Sequence, residues 1–105
     1  MSYAKVELDI IRFAEKRGLI KQENQKLLLS DMQLKLHELT DAIITKDKKS
    51  VSDAIGGIGA QLIILCVQQD LDFTKCLEKW YESNVNLSGK PTPLKNVNSS
   101  TYFQS

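Results

Sequence analysis

Apolar residues recur along this chain at intervals of three and four, and they divide it into four helical segments. The first runs from about Tyr3 to Arg17, with Val6, Ile10, Phe13 and Ala14 on one stripe. Gly18 follows the basic pair Lys16-Arg17 and acts as a stop signal, because glycine accepts the left-handed conformation that ends a helix. After a polar connector, Lys21-Gln22-Glu23-Asn24, the second helix spans about Gln25 to Thr45. Its Leu29, Met32, Leu36, Leu39 and Ile43 follow one another by threes and fours without a gap and build a single apolar seam. Leu28, Leu34 and Ala42 widen that seam toward a second neighbour.

Asp47-Lys48-Lys49-Ser50 reads as a turn, and Ser50 with Asp53 approximates a capping box that has aspartate in place of glutamate. The third helix, about Val51 to Gln69, carries Ile55, Ile58, Leu62 and Leu65 on its main face and Ile63, Ile64 and Val67 around it. A helix apolar over so much of its girth belongs at the centre of a bundle or in an oligomer interface. Gly56, Gly57 and Gly59 near its start cost roughly 1 kcal/mol each relative to alanine. Gly56 and Ala60, one turn apart, offer a place where another backbone can come close. The fourth helix opens at Asp72 as N-cap and runs to about Ser83, with Phe73, Cys76, Leu77 and Trp80 facing inward.

The expected architecture is therefore all-α, a four-helix domain over residues 1–85, followed by a polar, flexible tail over residues 86–105. The last residues, Tyr102-Phe103-Gln104-Ser105, match the end of a tag-removal protease site and carry no functional weight. At 105 residues one small domain is expected, with so limited a core that association would help it. Fourteen basic and 13 acidic residues leave a formal charge of +1, which gives no electrostatic reason for nucleic acid or an anionic membrane as partner.

Two cysteines, Cys66 and Cys76, and the single histidine His37 show no zinc-ligand spacing. Both cysteines fall on apolar faces and read as buried thiols of a reducing compartment. The N-terminus turns amphipathic at once, without a signal-peptide pattern. The apolar run Ile58 to Val67 is short of the ~20 residues that span a bilayer, so the expected location is the cytoplasm.

A set of segments in fixed order carries a resemblance. It comprises Phe13-Ala14-Glu15-Lys16-Arg17-Gly18-Leu19-Ile20, then Glu38-Leu39 with Ala42-Ile43, then Asp53-x-Ile55-Gly56. Leu62-Ile63-Ile64-Leu65, Leu71-Asp72-x-x-x-Cys76-Leu77, Tyr81 and Gly89-Lys90 follow. Over about Val6 to Lys90 the chain resembles the all-α MazG-like nucleotide pyrophosphohydrolases. That family places Glu-x-x-Glu on one helix and Glu-x-x-Asp on the next, four acids that hold magnesium. Magnesium neutralises the triphosphate and lowers the pKa of the attacking water, and it demands hard oxygen ligands. At the corresponding positions this chain has Lys35, Glu38, Ala54 and Gly57, so three of the four acids are missing. Tyr81-Glu82 and Leu87-Ser88-Gly89-Lys90 stand where the family has Tyr-Asn and an Arg-Lys-Gly-Lys run that contacts phosphate.

The resemblance implies a MazG-like bundle completed by dimerisation, as a homodimer or dimer of dimers. It leaves no catalytic residue, no metal ligand set and no cofactor. The leading expectation is a non-catalytic protein that binds or sequesters a nucleotide or nucleotide-derived signal, as a phage-encoded counter-defence protein would. Phe13, Lys35, Glu38, Tyr81 and Lys90 are the candidate nucleotide-binding residues. Phe13 and Trp80 have an alternative place in the core, and His37 an alternative half-exposed place on a helix flank. A divergent magnesium-dependent pyrophosphohydrolase would need Glu38, Asp41 and Asp53, although Asp41 is expected to face solvent or pair with Lys46. A purely structural protein–protein module is the third alternative.

Overall fold

A computed structural model describes residues 1–85. Among these residues the chain is all-helical: α1 (Tyr3–Lys16), α2 (Gln25–Ile44), α3 (Lys48–Gln68) and α4 (Phe73–Val85), with one short 3-10 turn at Gln22–Asn24 and no strand. The chain divides into two compact units, Met1–Phe73 with the first three helices and a second from Thr74 onward. The expectations for the tail, including Lys90, lie outside the described residues.

Each of the first three helices ends in the same backbone motif. Behind α1, Gly18 adopts φ +69°, its amide donates to the Glu15 carbonyl at 3.1 Å and the Leu19 amide donates to Ala14 at 2.9 Å. This Schellman pairing closes the carbonyls that a helix end leaves open, and glycine meets its left-handed residue without strain. Lys46 behind α2 (φ 59°) and Asp70 behind α3 (φ 58°) take the same conformation without being glycine. The start of α3 departs from the expected capping box. Asp47 is the N-cap, accepting from the Ser50 amide at 3.2 Å and from its hydroxyl at 2.8 Å, so the helix begins at Lys48. Ser50 is thus a donor to the cap, and Asp53 pairs with Lys49 at 3.0 Å. Ser2 caps α1 through the Lys5 amide at 3.2 Å.

α2 and α3 form an antiparallel hairpin, since Asp31 meets Gln61 while Lys35, four residues later, meets Gly57, four residues earlier. α3 also packs on α1, the central position that its apolar girth predicts. By length and composition α3 could cross a membrane, a property shared by the central helices of bundles. The α1–α2 connector is tied to the end of α3 by Gln68. Its amide nitrogen donates to the Leu19 carbonyl at 2.8 Å, and its own carbonyl accepts from Gln22 at 2.7 Å.

The buried apolar side chains are Ala14, Ala42, Ala54, Ile63 and Ile64, three of them alanines. Small residues at the contacts bring the helices close but remove little apolar area from water. The α2 seam is only partly covered. Leu29, Leu36 and Ile43, seven residues apart, remain 42%, 52% and 59% exposed. On α4, Cys76, Leu77 and Trp80, expected to face inward, are exposed, and Phe73, Thr74, Asn84 and Val85 are half-buried. Cys66 is half-buried, so neither cysteine is the buried thiol expected.

Candidate functional site

An open cleft of about 560 Å³ lies beside the α2–α3 turn. From α2 it is lined by Lys35, Glu38, Asp41, Ala42 and the following Thr45; from α3 it is lined by Ser50, Asp53 and Ala54. Lys35, Glu38 and Ala54, three of the four positions singled out by the resemblance, thus line one cavity. The fourth, Gly57, lies directly under Lys35: a Cβ added to Gly57 would fall 2.6 Å from Lys35 Cε and 2.9 Å from Cδ. The expected close approach at Gly56 is absent, since nothing comes within 4 Å of a Cβ there, and Gly57 makes the close contact.

Lys35 lies across the helix interface with its ammonium one turn back toward the N-terminus, 2.7 Å from Asp31 Oδ2. Gln61, 8% exposed on α3, donates its amide nitrogen to the same carboxylate oxygen. The Lys35 hydrogen bond holds the Asp31 carboxyl below its ordinary pKa and Gln61 adds to that, while partial burial opposes both. The lysine's charge is therefore already matched inside the protein. Glu38, Asp41 and Asp53 leave the cleft walls acidic even after the Lys49–Asp53 pair, which is fully surface-exposed and weak. Asp41 is exposed, as one of its two expected placements has it, and lines the open cleft without an ion pair to Lys46. Among the described residues, no three His, Cys, Asp or Glu side chains are grouped to hold a metal ion.

Within the first unit, Phe13 and His37 do not join this cleft. Phe13 is exposed, with the Arg17 guanidinium 4.7 Å from its ring centroid, and lines a separate depression with Val6, Ile10 and Ala60. Tyr81 is exposed on α4 in the second unit, and Lys90 is outside the described residues. His37 is exposed beside Gln33, Leu36 and Thr40. Reasoning from sequence passed over Asp31 and Gln61. The one available signal was Asp31 four residues before Lys35, the spacing of a helical ion pair; Gln61 gave none, because only the α2–α3 register brings it there.

No family model matches the chain, no curated protein matches it, and no solved structure matches it.

Proposed function

We propose that this chain is a catalytically silent MazG-like protein that binds a nucleotide or nucleotide-derived signal without metal, on a homodimeric helical scaffold in the cytoplasm. The observation that carries the reading is Lys35 lying over Gly57. Two positions at which the family pattern would supply carboxylates are filled by one lysine stem, whose ammonium is held at Asp31. The lysine stem offers no oxygen ligand at either position, so magnesium would lack both. The ligand class rests on the resemblance of the segment pattern. The walls refine it: Glu38, Asp41 and Asp53 repel a triphosphate, while their oxygens and the Thr45 and Ser50 hydroxyls suit ribose hydroxyls and amino groups. A nucleoside monophosphate or cyclic nucleotide fits those walls better than a triphosphate. A phage protein that captures an immune signal needs this combination of binding without turnover.

Calorimetry in chelator against nucleosides and mono-, di-, tri- and cyclic nucleotides tests the reading. Binding by a low-charge member, weakened several-fold in Lys35→Ala, is expected; silence across the panel overturns it. One observation favours a second reading, a divergent pyrophosphohydrolase: Glu38, Asp41 and Asp53 line the same cleft. Pyrophosphate release with Mg²⁺ or Mn²⁺ that disappears in Glu38→Ala would establish it in place of the first.

A further inference from the structure

About one helical turn along α2 from Lys35, a smaller pocket of about 270 Å³ opens between α2, α3 and the α1–α2 connector. Its walls are Leu19, Leu27, Leu28 and Ile64, and its polar groups belong to Asn24, Asp31 and Gln61. The amide nitrogens of the two polar amides are each engaged once within the protein. Asn24 Nδ2 donates to the Gly18 carbonyl at 2.8 Å and Gln61 Nε2 donates to Asp31. Acceptors remain. The buried Gln61 Oε1 has no hydrogen-bond partner, and Asp31 uses only Oδ2 toward Lys35 and Gln61. Leaving a buried carbonyl unpaired costs roughly 1–3 kcal/mol, and a donor arriving from a ligand would recover part of that.

We propose that this pocket binds a small planar molecule with an apolar body and an N–H donor edge, an amidinium or an amino-substituted heteroaromatic ring. The apolar walls take the ring, and Asp31 and Gln61 accept from its nitrogens. With the Asp31 carboxylate among its polar groups, the pocket disfavours carboxylates and phosphates. The volume lies just under the ~300–1,000 Å³ of drug-sized sites, which limits the occupant to about one ring system. The pocket is separate from the α2–α3 cleft but shares the Asp31–Lys35 pair with it, so Leu27→Arg, which substitutes neither residue of the pair, distinguishes this ligand from the nucleotide reading.

The test is a titration of the full-length, isotope-labelled protein with benzamidine and 2-aminopyridine, followed by amide NMR, with benzoate and toluene as controls. Saturable shifts are expected at Leu27, Leu28, Ile64 and the Gln61 side-chain amide for the two donors, and none for benzoate. Asp31→Asn weakens benzamidine binding about tenfold, the loss of one charged hydrogen bond. Leu27→Arg, at an exposed rim position that leaves the core untouched, abolishes it while the spectrum keeps its dispersion. No shift at these residues, equal shifts with toluene or benzoate, or undiminished binding in Leu27→Arg overturns the proposal.

Discussion

Gly57 is the only one of the three clustered α3 glycines against which another side chain lies: Lys35 Cδ and Cε occupy the place its Cβ would take. Because that neighbour is the far end of a flexible side chain, Gly57→Ala displaces the lysine without breaking the helix. A double-mutant cycle should show it. Gly57→Ala is expected to stabilise α3 more in a Lys35→Ala background than in the native chain, with a coupling on the order of 1 kcal/mol in chemical denaturation. Asp31 supplies a pH signature for the same cluster. Its folded pKa lies below the ordinary aspartate value, so its stabilisation is complete above about pH 4 and is lost as pH falls through the lowered value. The difference in melting temperature between the native chain and Asp31→Asn is therefore expected to be full at pH 7 and to close toward pH 3; a constant difference would show that the ion pair contributes nothing.

At the scale of elements, the three-residue connector between α2 and α3 does two tasks at once. Lys46 supplies the left-handed residue that ends one helix, and Asp47 caps the next. A left-handed residue with a side chain carries strain of roughly 1–2 kcal/mol, so Lys46→Gly is expected to stabilise the fold by about 1 kcal/mol in urea denaturation. Asp47→Ala removes the acceptor for Ser50 and should lower the melting temperature, with hydrogen exchange accelerated first at Val51 and Ser52. Helix positions and ends were largely legible before the structure, because periodicity, Gly18 and Asp72 each act through the local backbone. The cap of α3 was not, since both Asp47 and Ser50 are good caps and only the path of the turn chooses between them. The exposure of Cys76, Leu77 and Trp80 was not legible either, because an apolar stripe states what a helix can cover and not what covers it.

For the whole molecule, the decisive fact is the shortage of buried apolar area. Among the described residues, a core of three alanines and two isoleucines accompanies Leu29, Leu36 and Ile43 left more than two-fifths exposed in a seven-residue repeat. That repeat is the spacing at which two helices pack side by side, and a second copy of the chain supplies a matching one. Light scattering on the purified protein is expected to give at least a dimer, and Leu36→Asp with Ile43→Asp to give monomer of reduced stability. A monomeric native chain would remove the dimer from the proposed function. Gly56 and Gly59 have open space around them, so alanine at either should stabilise an isolated protomer by about 1 kcal/mol.

Local order along the chain settles the four helices, their approximate ends and the central place of α3, because helix periodicity and capping depend on residues within one or two turns of each other. The same information shows acids absent where the resembling family has them. It does not show what takes their place. That Lys35 lies over Gly57, and that Asp31 and Gln61 anchor and flank it, follow from the register of two antiparallel helices, which pairs residues 20 to 30 positions apart. Register is set by how small residues such as Ala42 and Ala54 let the helices approach, a property of the pair of surfaces and of neither helix alone.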